Sequence, residues 1–280
     1  MPNIHDYSKI ETIVIEHYTV EKKIIKNFFS KKEYFIENLV DKRTETYQGG
    51  ELVLYEEFLY NHPCLHKHGV RVAENNGYRW EIEYNWGNEN IPTKIINHYD
   101  NKGYHIKSFF TSYSSNSTMP DTSISTYKYQ FSEQGKLIQI SEYNSGNILK
   151  STEKREYNSM GECIKLIEES YENQKTQKIV TTFFEYENNY VSKETETTQI
   201  LYQTSIHEKN HKSTTFYNRN RYGDVTYKKI HYVDSGKIIE NHYQLQYDAH
   251  NNCTECKCKV FENGEFKRET LWRYKIKYKL

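Results

Sequence analysis

The sequence predicts an all-β protein, a long antiparallel up-and-down meander of tandem β-hairpin repeats forming an open, twisted or half-closed sheet. Three observations predict it. A tyrosine-and-glycine phrase recurs, as Tyr99-Asp-Asn-Lys-Gly103, Phe131-Ser-Glu-Gln-Gly135, Tyr157-Asn-Ser-Met-Gly161, a worn Tyr186-Glu-Asn-Asn-Tyr-Val191, Tyr217-Asn-Arg-Asn-Arg-Tyr-Gly223 and Tyr247-Asp-Ala-His-Asn251, with starts 32, 26, 29, 31 and 30 residues apart. A fixed period of this size marks a repeat architecture. The stretches between phrases alternate with a period of two, and Asn, Asp, Ser and Gly cluster about every 14 residues, where turns need positive φ or a side chain bonded to its own backbone.

The elements follow in order. Residues 1–98 are the less regular part and read as a decayed continuation of the sheet. Ile13–Tyr18, Lys23–Phe29 and Leu52–Tyr55 have strand character, Gly49-Gly50 is a turn, and a short helix is expected near Lys31–Asn38. Tyr84-Asn-Trp-Gly-Asn88 resembles a repeat start. Residues 99–280 form the repeat region, with about twelve strands. A second aromatic followed by turn residues halves each repeat, as in Tyr143-Asn-Ser-Gly-Asn147, Tyr232-Val-Asp-Ser-Gly236 and Phe261-Glu-Asn-Gly264. In Ile239-Glu-Asn-His-Tyr-Gln-Leu-Gln-Tyr247, residues 239, 243, 245 and 247 share a buried face. Connections of two to five residues join antiparallel neighbours only. The Ser/Thr-rich segment 112–123 is expected to be a mobile surface loop. The terminal Trp272, Tyr274, Ile276, Tyr278 and Leu280 oppose Arg273, Lys275, Lys277 and Lys279. Two readings stay open for that basic face: an edge strand guarded by lysines, or a strip for an acidic partner.

Composition narrows the function. The 280 residues carry 38 basic and 38 acidic side chains, so the basic footprint of a nucleic-acid binder is missing. Only 36% of the residues are hydrophobic, but 27 tyrosines and 12 phenylalanines supply a core with polar tips. The N-terminus lacks the pattern of a secretory signal, and no apolar run reaches the ~18 residues of a spanning helix. Five cysteines are an odd count, which fits reduced thiols. The expectation is therefore a cytoplasmic protein with no nucleic-acid and no membrane partner.

Three phrases resemble metal or redox sites. His207-Glu-Lys-Asn-His211 matches H-E-x-x-H, whose histidines share a zinc only on a helix. Here the turn spacing predicts a strand, which holds them about 13 Å apart. Cys253-Thr-Glu-Cys256-Lys-Cys258 aligns with Gly161-Glu-Cys163-Ile-Lys-Leu166 of an earlier repeat, so the thiols read as small hydrophobes. His62-Pro-Cys64-Leu-His66-Lys-His68 leaves two readings, a solvated His-rich loop or a strand-borne metal site, with no acidic general base evident nearby. Glu168 and Glu169 should point to opposite faces of a strand. No phosphate loop or nucleophile elbow is found. No catalytic, cofactor-binding or metal residues are assigned, and no cofactor is expected.

The phrases Tyr99-Asp100-x-x-Gly103 and Tyr247-Asp248-x-x-Asn251, with degenerate copies at 131, 157, 186 and 217, resemble the YD repeats of Rhs and teneurin-like proteins over roughly residues 95–280. In full-length members the resemblance implies a curved sheet that spirals into a shell around a toxin. Only two copies keep Tyr-Asp together, and the chain is too short for such a cargo, so it reads as a short free-standing relative. The expected function is a non-enzymatic protein-binding module, an immunity-type protein or adaptor whose partner is a toxin or effector domain. The alternative is a structural or carbohydrate-binding surface protein.

Overall fold

In the computed structural model the described residues are 7–27, 30–59, 66–85, 93–112, 121–172, 174–201 and 209–278. After one 3-10 turn at Tyr7–Lys9 come eighteen strands. They are β1 (Ile10–Asn27), β2 (Ser30–Gln48), β3 (Glu51–Leu59), β4 (His66–Glu74), β5 (Gly77–Asn85), β6 (Thr93–Asp100), β7 (His105–Ser112), β8 (Asp121–Phe131) and β9 (Leu137–Asn144). The second half comprises β10 (Leu149–Tyr157), β11 (Cys163–Glu172), β12 (Lys175–Glu187), β13 (Tyr190–Ile200), β14 (Lys209–Arg219), β15 (Val225–Tyr232), β16 (Lys237–Tyr247), β17 (Cys253–Glu262) and β18 (Glu265–Tyr278). The twelve strands expected after Tyr99 are β7–β18. The helix expected at Lys31–Asn38 is instead part of β2, because the segment pairs with β1 from Ile36↔Glu21 to Asn38↔Thr19. Of the expected loop, residues 113–120 lie outside the described residues, as do Trp86–Asn88 of the expected repeat start.

Each strand pairs antiparallel with its sequence neighbours, as the meander requires. The open or half-closed sheet is corrected by one further pairing: β18 also pairs with β1, in register from Ile13↔Ile276 to Val20↔Glu269. The sheet is a closed barrel and has no edge. The basic face of β18 is accordingly neither an edge guard nor a free strip. The Lys275 ammonium sits 3.0 Å from Glu16, Lys277 is 2.8 Å from Glu11, and Arg273 binds both carboxylate oxygens of Glu37 at 2.6 and 3.0 Å.

The recurring phrase is a turn with a fixed hydrogen-bond plan. At Asp100, Asn144, Asn158, Asn220 and Asp248 the side-chain Oδ1 accepts from the backbone N–H two and four residues on, over 2.8–3.1 Å. The N–H three residues on donates back to the first carbonyl, as from Gly103, Asn147, Gly161, Gly223 and Asn251. That residue has φ between 56° and 91°, a region only Gly and Asn enter cheaply. The copy written Tyr217-Asn…Gly223 turns at Asn220, two residues later than its tyrosine suggests, because β14 runs on to Arg219. The midpoint Tyr143-Asn144 is the same turn. Asn188-Asn189 and Asn263-Gly264 are two-residue turns with both φ positive.

Tyrosine hydroxyls tie each of several hairpins to the one before it. Tyr129 donates to the His105 carbonyl, Tyr157 to Leu137 and Tyr186 to Cys163, at 2.6–2.8 Å. Tyr247 donates to Asp224 Oδ2 and accepts from Asn220 Nδ2, both at 2.6 Å. Tyr278 repeats this arrangement on Asp248 and Asn252. These contacts lie on the rim where even strands pass to odd ones. The strand ends Leu59, His66, Asn85, Thr93, Ser112, Asp121, Ile200 and Lys209 all belong to the other rim.

Alternation gives the barrel two chemically distinct faces. One carries Ile13, Ile15, Tyr47, Cys253, Cys256 and Tyr274, the buried core cluster, with Tyr243, Leu245 and Trp272 packed on it. The same face lines the clefts described below and is the inward one. The outward face carries cross-strand ion pairs around the circumference, including Arg79–Glu74, Lys154–Glu169, Lys165–Glu156 and Lys193–Glu185 at 2.6–2.9 Å.

Asp224 is 3% exposed, and its carboxylate accepts from the Tyr247 hydroxyl at 2.6 Å. Tyr247→Phe should lower stability by about 1–3 kcal/mol, read from urea unfolding with an unchanged denaturant slope. A loss indistinguishable from zero would show that the tyrosine is held by ring packing alone.

Candidate functional site

The inward wall from β9 to β13 is acidic. Glu142, Glu153, Glu168, Glu194 and Glu196 project from it, against Arg155 and Lys178, by the register Glu142↔Ser151, Glu153↔Glu168, Val180↔Thr198 and Phe184↔Glu194. Glu142 accepts from the hydroxyls of Ser125 and Ser151 at 2.7 and 3.0 Å. Arg155 pairs with Glu153 at 2.5 Å, and Tyr217 donates to Glu194 at 2.9 Å. Glu168 and Glu196 are exposed on this wall. A cleft of about 510 Å³ runs over it, lined among others by His105, Tyr127, Glu142, Glu153, Glu168 and Lys178. Glu169, next in sequence to Glu168, faces outward to Lys154, as the strand period predicted.

An aromatic ladder leads into that cleft across β4–β8. The Arg71 guanidinium lies 3.9 Å over Tyr78, and Tyr78 stacks on Tyr99 at 4.9 Å. His105 stacks between Tyr99 and Tyr127, at 4.9 and 4.3 Å. Burial pushes the His105 imidazole below its ordinary pKa, so it is neutral near pH 7. The rings face each other along the wall and present their edges to the interior. Beside the ladder, Gly69 leaves room for the Tyr55 ring: a Cβ at that position would meet it at 2.2 Å. A second cleft, lined by Tyr217, Lys228, Tyr243, Leu245, Trp272 and Tyr274 among others, lies over the buried core cluster.

The motif residues fall as follows. His207 lies outside the described residues. His211 is on β14, opposite Thr198, with Nδ1 3.3 Å from Asp234, so the second histidine of the zinc-like phrase is on a strand. Cys253, Cys256 and Cys258 are inward and buried, and they are free thiols. Burial pushes Cys253 up to about 11 and Cys256 up to about 12, and raises Cys258 as well. Such thiols are protonated at neutral pH and poor as nucleophiles or metal ligands. His62 and Cys64 lie outside the described residues. His66 and His68 share the outward face of β4 and meet Glu56 of β3, an acidic partner that sequence spacing could not reveal. Nor did sequence spacing reveal the acidic wall, because its glutamates lie up to 54 positions apart and are joined only by register.

No family model matches the sequence, and no curated protein matches it. Among solved structures, the chain is similar to a porin-like protein from Bacteroides uniformis, at 13% identity and a TM-score of 0.42, over 96% of this chain and 98% of that one. It is also similar to part of a TcdB2-TccC3-TEV structure, at 11% identity and a TM-score of 0.17, over 90% of this chain and 19% of that chain. These scores are low, and the barrel stands on its own strand pairing. The expected cytoplasmic location is corrected by that pairing. A closed ring of eighteen antiparallel strands shares its strand plan with bacterial outer-membrane barrels.

Cys253, Cys256 and Cys258 should stay unmodified by iodoacetamide at pH 8 in the folded protein and react fully in urea, as read by peptide mass spectrometry. Rapid labelling of any of them in the native state would overturn their assignment to the core.

Proposed function

We propose that this protein is a non-enzymatic binding barrel that receives a basic protein partner on its acidic inward wall, in an immunity-type or adaptor role toward a toxin or effector domain. The observation that carries the reading is the five glutamates gathered on β9–β13 against two cations. Like charges brought together on a concave wall focus the field and steer an oppositely charged partner. No charge-relay set of nucleophile and base is found among the described residues to suggest chemistry on the bound partner. A carbohydrate reading has less support, because the ladder spends its ring faces on one another instead of leaving them free for sugar rings.

The location that fits this reading is the cell envelope, with the barrel wall in water. A lipid-facing wall is an apolar band about 25 Å tall, and each Arg or Lys at its middle costs about 2–4 kcal/mol. The outward ion pairs of β1, β2, β10–β13, β17 and β18 occupy positions that such a band would fill with apolar side chains. Carbonate washing of envelopes from the native host should therefore release the protein without detergent. Recovery only in detergent would favour a barrel threaded through the bilayer.

Co-purification from the native host should recover a basic protein partner whose affinity falls steeply with salt. The combined Glu142→Gln, Glu153→Gln and Glu168→Gln variant should bind it roughly three- to hundredfold more weakly, since each exposed charge pair contributes on the order of 0.2–1 kcal/mol. Capture of the same partner by the variant at undiminished strength would refute the acidic wall as the site.

A further inference from the structure

We propose that Glu56, His66 and His68 form a binding site for a divalent transition ion of the zinc class on the outer wall of the barrel. The register of β3 and β4 sets Glu56 directly opposite His68, and His66 lies two residues before His68 on the same face. Their ligand atoms all lie within 4.8 Å of one another. One oxygen, Glu56 Oε1, is 3.7 Å from both His66 Nε2 and His68 Nδ1. A tetrahedral zinc with bonds of about 2.0–2.1 Å needs ligand atoms about 3.3–3.4 Å apart. The carboxylate already stands within a few tenths of an ångström of that spacing from each imidazole, and the two imidazole nitrogens, within 4.8 Å of each other, close on the ion by ring rotation.

The alternative is a plain hydrogen-bonded cluster, and the distances speak against it. At 3.7 Å neither imidazole is hydrogen-bonded to the carboxylate. His66 Nε2 is shielded from water and has no hydrogen-bond partner among the described residues. A shielded nitrogen that points at a carboxylate without bonding it incurs a desolvation cost which a metal would relieve. The rings are also held in place. Phe58 stacks on His66 with centroids 4.6 Å apart. On the far side of β4, Glu83 of β5 is the register partner of His68.

Three protein ligands leave one coordination position open. The trio is a third to two-fifths exposed, so that position faces solvent and can accept water or a donor from another molecule. Imidazole and carboxylate together suit zinc, copper or nickel over calcium or magnesium.

The test is isothermal titration of the full chain with zinc chloride, with cobalt(II) as a spectroscopic probe. Wild type should bind one equivalent of zinc, and its cobalt form should show the visible absorption of a four-coordinate nitrogen and oxygen site. Glu56→Gln keeps the side-chain shape and should bind zinc at least about tenfold more weakly, within the range for loss of a metal-fixing group. His66→Ala with His68→Ala should abolish binding while the melting temperature without metal stays near that of wild type. Should the double variant fail to fold, Glu56→Gln decides alone. Substoichiometric zinc on the wild type, or Glu56→Gln binding as tightly as wild type, would overturn the site.

Discussion

The pairing of the last strand with the first governs everything else in this molecule. Without it, eighteen hydrogen-bonded strands would still end in two open edges, and the strip of Arg273, Lys275 and Lys277 would stand beside unpaired backbone. With it, the same residues meet Glu37, Glu16 and Glu11 across the seam and become an ordinary charged patch of the outer wall. Closure also defines an inside and an outside. A strand places alternate residues on opposite faces, so one geometric event sorts the whole chain into an aromatic and acidic interior and an ion-paired exterior.

The interior is divided into sectors along the chain. From β16 round through the seam to β3 it is packed on Ile13, Ile15, Cys256 and Tyr274, with the Arg43–Glu45 pair enclosed beside them. Across β4–β8 it is a ladder of stacked rings capped by Arg71. From β9 to β13 it is acidic. The first two sectors are largely satisfied within the wall, the first by packing and the ladder by stacking. The acidic sector keeps carboxylates facing open solvent, and for that reason it carries the functional reading.

The tyrosine phrase does two jobs with one residue pattern. The Asp or Asn after the tyrosine folds the turn through its own side chain, and the Gly or Asn three positions on supplies the left-handed backbone. The tyrosine of a later hairpin then reaches back, as Tyr247 does to Asp224 and Tyr278 to Asp248. This coupling runs between neighbours in sequence and so builds a regular rim. Most of it was legible beforehand, because turn chemistry is local. The slip at Asn220, two residues beyond Tyr217, was not, because strand length there is set by pairing with Tyr227 and Val225.

The amino-acid sequence alone determined the class of the fold, the count of strands after Tyr99, the turn positions to within two residues, and the burial of Cys253, Cys256 and Cys258. All of these follow from period-two alternation and from side chains that act within a few residues of themselves. Closure of the ring, the fate of the basic strip and the loss of the expected helix at residues 31–38 were decided by tertiary structure. Each depends on a partner strand that sequence spacing does not name. The same holds for the two sites. Glu56 joins His66 and His68 through the β3–β4 register, and Glu142, Glu153, Glu168, Glu194 and Glu196 meet through four more pairings. Chemistry assembled across strands is invisible to a linear motif, because a strand places a residue's nearest neighbours about 5 Å away on another segment of the chain.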